Sequence, residues 1–105
     1  MAQFTVYRNL DRASQKRVPF LLDVQCELLS DLSTRMVVPI YPATYLKGRF
    51  LKTLNPVFRI NGRNHVMATP EMAGIPRKAL GQPVADLSAQ RATIIAALDL
   101  LITGI

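Results

Sequence analysis

Apolar and polar residues alternate with a period of two through much of the chain, and a helical period takes over only near its end. Gln3 to Arg8 predicts a strand with Phe4 and Val6 on one face and Thr5 and Tyr7 on the other. Val18 to Leu29 is the longest alternating segment. Phe20, Leu22, Val24, Cys26 and Leu28 share the face assigned to the core, and Leu21, Asp23, Gln25, Glu27 and Leu29 share the other. A helix there would align Asp23, Glu27 and Asp31, but alternation fits the run better. Arg35 to Ile40 alternates again, with Met36, Val38 and Ile40 against Arg35, Val37 and Pro39, and the proline places a strand end or edge there. Pro56 to Ile60 and Arg63 to Ala68 flank Asn61-Gly62, residues that readily supply the positive φ required at both centres of a type I′ turn. That two-residue loop sets Ile60 opposite Arg63, Phe58 opposite His65 and Val57 opposite Val66.

The connecting segments are short. Asn9 to Arg17 reads as a polar loop at a hairpin tip, and PATYLKG and RFLKTLN as turns or a helical turn. Thr69-Pro70-Glu71 has the form of a helix start, stopped after one turn by Gly74 and Pro76, while Pro76, Gly81 and Pro83 interrupt the next stretch of chain. From Asp86 or Ser88, either able to cap, a helix is expected in which Arg91, Ile94, Ile95, Leu98, Leu101 and Ile102 share a side. Five strand candidates and a terminal helix predict a mainly β fold: a small, strongly curved antiparallel barrel or sheet with a C-terminal α-helix against it. With 105 residues and no linker or repeat, residues 1–105 are expected to form a single domain.

Composition narrows the function. One cysteine and one histidine exclude a disulfide framework and the multi-Cys and multi-His metal clusters, so no metal or cofactor is expected. No signal-peptide core is present, and the apolar run Ala92 to Ile102 is broken by Asp99, which points to a cytoplasmic protein. The net charge is +6, and between Asp31 and Glu71 lie Arg35, Lys47, Arg49, Lys52, Arg59 and Arg63 with no acid, a surface suited to nucleic acid, to an acidic polypeptide or simply to solubility. So small a core favours a partner subunit, for which Leu21, Leu29 and Val37 are candidate contact residues. Nucleotide-loop, zincin and serine-hydrolase spacings are absent. Asp23 and Glu27 would be neighbours only on a helix, so a carboxylate pair has no local support. Arg35, Arg59, Arg63 and His65 have the composition of a metal-free ribonuclease; His65 by itself reads first as a structural or surface residue beside Phe58 and only second as an acid/base group. Cys26, between Val24 and Leu28, reads as a small buried hydrophobe. Thr103-Gly104-Ile105 comes directly after the helix with no polar tail, leaving a frayed end, a buried anchor and a partner-binding tip all open.

MAQFTVYRN, LLDVQCELLSD, RMVVPI, MATPEMAGIP, VADLS and the final GI, in this order across the chain, resemble a CcdB-type toxin of a plasmid or chromosomal toxin–antitoxin pair. The resemblance implies an SH3-like antiparallel barrel with a C-terminal helix, a cytoplasmic homodimer, and a gyrase poison that is not an enzyme. Such toxins bind between the arms of the DNA gyrase A subunits, trap the cleaved gyrase–DNA complex and inhibit replication and transcription. A cognate antitoxin with an acidic, partly disordered C-terminal segment neutralises them, and DNA is met only through gyrase or the toxin–antitoxin complex. The same fold also carries endoribonuclease toxins, the alternative reading. Carried over position by position, the gyrase contacts fall on Leu28, Leu29, Asp99, Ile102, Thr103, Gly104 and Ile105. Thr103 stands where the best-known member has a tryptophan, and Asp99 where it has an asparagine.

Overall fold

The computed structural model describes residues 2–46 and 51–104. All of its strand pairings are antiparallel. They join β1 (Thr5–Asn9), β2 (Phe20–Asp23), β3 (Thr34–Pro42), β4 (Val57–Ile60), β5 (Arg63–Met67), β6 (Ala73–Pro76) and β7 (Leu80–Asp86) into a 7-stranded sheet. Its order is β4-β5-β3-β2-β1-β7, with β6 also paired to β3. The sheet curls into a half-barrel of the SH3-like kind. Helix α1 is the short Ala43–Leu46, and α2 spans Arg91–Thr103 after a 3-10 turn at Ser88–Gln90. The mainly β fold with a C-terminal helix is therefore present, with two strands more than the alternation pattern suggested.

The hairpin forms as its turn chemistry requires. Asn61 and Gly62 have φ of 52° and 78°, and Ile60↔Arg63, Phe58↔His65 and Val57↔Val66 are paired. Pro39 corrects the expected strand end, because β3 runs through it to Pro42. Its carbonyl accepts from the Ala68 N–H at 2.9 Å, so its ring nitrogen faces the same side, where β5 has ended and β6 has not begun. The missing N–H falls in the gap between two partners and costs no ladder bond.

The long strand expected over Val18 to Leu29 is also shorter. β2 stops at Asp23, and Glu27–Leu29 forms a 3-10 turn that buries none of its residues. Cys26 and Leu28 are exposed rather than in the core, whereas Leu21, Asp23 and Gln25 on the supposed outer face are buried. The sheet has core on both faces, so alternation does not separate inside from outside here. One cluster, including Val6, Leu22, Ile40, Ile60 and Met67, packs against Ile94 and Ala97 of α2; the other holds Tyr7, Val18, Leu21, Val37 and Tyr41. Leu21 and Val37 therefore serve the interior, leaving only Leu29 of the expected contact trio exposed. In β7, register shifts opposite Val6, Tyr7 and Asn9 insert extra residues and bend the strand, accommodating Pro83.

Candidate partner-binding rim

The end of β2 is held by charge. Arg35, expected as surface charge or as a ribonuclease cation, is 0% exposed and its Nε donates to Asp23 Oδ2 at 2.9 Å. Nη2 lies 2.6 Å from the same oxygen without hydrogen-bond alignment, and Nη1 has no acceptor among the described residues. Asp23 Oδ1 accepts from the Gln25 N–H at 3.0 Å. Gln25 then turns its side chain back: Oε1 accepts from the Met36 N–H and Nε2 donates to the Leu29 carbonyl, both at 2.8 Å. Beyond this polar joint the 3-10 turn projects Leu28, 92% exposed, and Leu29, 50% exposed.

The second half of the site is the end of α2. Gly104 closes the helix in the left-handed region at φ 77°, its N–H shared by the carbonyls of Asp99 and Leu100 at 3.2 and 3.1 Å. A Cβ there would touch nothing within 4 Å, so within this chain the requirement for glycine is conformational. Thr103 Oγ1 donates to the Asp99 carbonyl at 2.7 Å and is thereby turned toward its own helix. Asp99, Ile102, Thr103 and Gly104 are all exposed; Ile105 lies outside the described residues.

The two halves meet. A groove of about 470 Å³ is lined by Leu29 and Leu32 from the turn region and by Leu98 and Ile102 from α2, with Met36 and Met72 also among its lining residues. Of these, Leu29, Leu32, Met36 and Ile102 are exposed large hydrophobics, Ile102 at 66%. A clustered apolar rim of this kind on a charged protein marks a contact surface. Nothing in the sequence pattern marks Leu32, Met36 and Met72 for this role, and only their place around the groove joins them to the site. Cys26 also lines the groove.

The four ribonuclease candidates do not come together. Arg35 is buried in its ion pair, and Arg59 sits one strand position from Phe58, on the opposite face of the hairpin from Arg63 and His65. His65 is buried, with Nδ1 2.9 Å from the Arg63 carbonyl and its ring 5.2 Å from Phe20 rather than stacked on Phe58. A carbonyl only accepts, so that nitrogen carries the proton. Lys52, Arg59 and Arg63 remain exposed cations, while Lys47 and Arg49 lie outside the described residues.

A separate hollow of about 650 Å³ includes Val18, Leu21, Pro39 and Ile75, with Arg17, Tyr41, Glu71 and Lys78 among its polar lining. The Tyr41 hydroxyl donates to Glu71 Oε1 at 2.6 Å. Burial, then the Glu71 hydrogen bond and charge, raise the tyrosine above its ordinary 10.0, and nearby Arg17 partly opposes them. Among the described residues, no helix is long and apolar enough to cross a membrane.

The family model described as CcdB protein matches residues 3–104. That match spans both halves of the rim and the barrel between them, and it shows that this chain belongs to the CcdB family, the toxins of toxin–antitoxin systems.

Proposed function

We propose that this chain is a cytoplasmic gyrase poison: a homodimeric toxin that binds the DNA gyrase A subunit through the Leu28–Leu29 turn and the end of α2, traps the gyrase–DNA cleavage complex, and performs no catalysis itself. The observation that carries this reading is the meeting of Leu29 and Ile102 around one groove. Both belong to the set that the family resemblance marks as gyrase contacts, and they arrive there from segments far apart in the chain. Exposed Leu28, Leu29 and Ile102 contribute little to this fold's core, so binding a partner accounts for their apolar character. The rim and the outer edges of β4 and β7 leave apolar surface and unpaired backbone for a second copy. The net charge of +6 suits an acidic, partly disordered antitoxin segment.

The direct test combines the protein with gyrase, ATP and supercoiled DNA and measures trapped double-strand breaks, beside RNA incubated without gyrase. Wild type is expected to trap cleavage and leave RNA intact. Leu28→Asp, at a position 92% exposed, is expected to melt like wild type yet bind a gyrase A fragment about thirtyfold more weakly, ~2 kcal/mol for a central contact. RNA cleavage without gyrase, or unchanged binding by Leu28→Asp, would refute the assignment.

A further inference from the structure

We infer that Gln25 is the positioning residue of the contact rim, setting the shape of the Leu28–Leu29 turn before any partner arrives; this rests on the reading of Leu28 and Leu29 as contact residues. The turn buries none of its own residues. Packing of its side chains therefore restrains it weakly, and hydrogen bonds are left to fix its conformation. Within the segment these are short-range: Leu29 N–H to the Cys26 carbonyl at 3.0 Å, Ser30 N–H to Glu27 at 3.1 Å and Leu32 N–H to Leu29 at 3.2 Å. Bonds of this kind, exposed to water on a one-turn element, do not hold a single conformation by themselves. The Gln3 N–H to Glu27 Oε1 contact at 3.4 Å is long and exposed.

Gln25 supplies what is missing. It is buried, and its amide ties the Leu29 carbonyl to the Met36 N–H of β3 through two 2.8 Å bonds, fastening the turn to the centre of the sheet. Its backbone N–H is held by Asp23 Oδ1, and Asp23 by Arg35. The ladder's last backbone bond here is the Val24 N–H to the Met36 carbonyl at 3.0 Å; the Val24 carbonyl, which would return a bond to the Met36 N–H, accepts from Gln3 Nε2 at 3.2 Å instead, and Gln25 Oε1 takes its place. Fixity thus passes from a buried ion pair through one amide to two exposed leucines. When a binding shape is populated only one-tenth of the time, apparent affinity falls tenfold.

The test uses Gln25→Met, which retains the side chain's length and removes both bonds, and Gln25→Glu, which keeps the acceptor for the Met36 N–H and removes the donor to the Leu29 carbonyl. Methyl order parameters of Leu28 and Leu29 are measured by NMR in the free protein, and binding to a gyrase A fragment by calorimetry. Both variants are expected to lower the two order parameters and weaken binding about tenfold, with the barrel's amide exchange preserved. Gln25→Glu separates the two roles, because a residue serving only the β3 edge would leave that variant like wild type. Wild-type order of the leucine methyls in either folded variant, or lost order with undiminished gyrase affinity, overturns the inference. Failure of the wild-type protein to bind gyrase would instead remove the proposed partner, while the order parameters would still decide whether Gln25 sets the turn.

Discussion

Arg35→Met tests the buried joint most severely. Both partners are 0% exposed, and the substitution keeps an unbranched side chain of similar length while removing the cation that faces Asp23 at 2.9 and 2.6 Å. A carboxylate left in the interior with one backbone N–H for company costs about 3–5 kcal/mol. Against a typical total of about 5–15 kcal/mol, that is a large fraction. At ~2.1 cal/mol/K per residue, unfolding this chain carries ~0.22 kcal/mol/K, so the melting temperature should drop by about 14–23 °C. Calorimetric melts at neutral pH read this directly. Asp23→Asn added to Arg35→Met should restore most of the loss, because the amide removes the stranded charge while its oxygen still accepts from the Gln25 N–H. A single-variant loss under about 1 kcal/mol, or a double variant no more stable than the single, would refute the argument that the pair is held by mutual charge compensation.

Two further outcomes concern backbone and phenol. Gly62→Ala at φ 78°, where a Cβ meets nothing within 4 Å, should cost about 1 kcal/mol through conformation alone. Gly74→Ala, equally open but without positive φ, should stay within about 0.5 kcal/mol, and equal denaturant midpoints for the two would contradict this account. Tyr41 ionises above its ordinary value, so the stability it contributes is present below about pH 10 and is lost as pH rises through the folded value. The difference in ultraviolet phenolate absorbance between wild type and Tyr41→Phe should reveal a late transition, and Glu71→Gln should move it to lower pH.

What the sequence discloses depends on how local the cause is. The Asn61-Gly62 hairpin is legible to the residue because the turn needs only its own two φ values, and α2 because its period is intrinsic. β6 and β7 are hidden by Pro76, Gly81 and Pro83, residues that argue against strands unless a single partner or a bulge accommodates them, as here. The early end of β2 arises from Gln25 replacing a backbone partner with its side chain, which no alternation pattern records. In the candidate site, Leu28, Leu29 and the helix end are marked by the family resemblance; the helical period alone puts Ile102 on the side shared with Ile94 and Leu98, and it is 66% exposed because it lies beyond the reach of the sheet's core. Leu32, Met36 and Met72 join only through folding, and the Arg35–Asp23 pair reads as surface charge in the sequence because burial of an arginine is set entirely by its tertiary partner.

Strand β1 is flanked by β2 on one side and β7 on the other, with Val6 paired to both Leu22 and Ala85. A ribosome makes β1 first, yet its second neighbour is complete only when residue 86 has been added, and α2, which carries Ile102, comes later still. The half-barrel therefore closes only once β7 has been made, and strand pairing over such sequence distances is slow. The apolar rim is the last part of this fold to be assembled, because it needs α2 as well as the turn after β2. An antitoxin has the interval between the making of β1 and the docking of α2 in which to meet a chain whose rim is not yet whole.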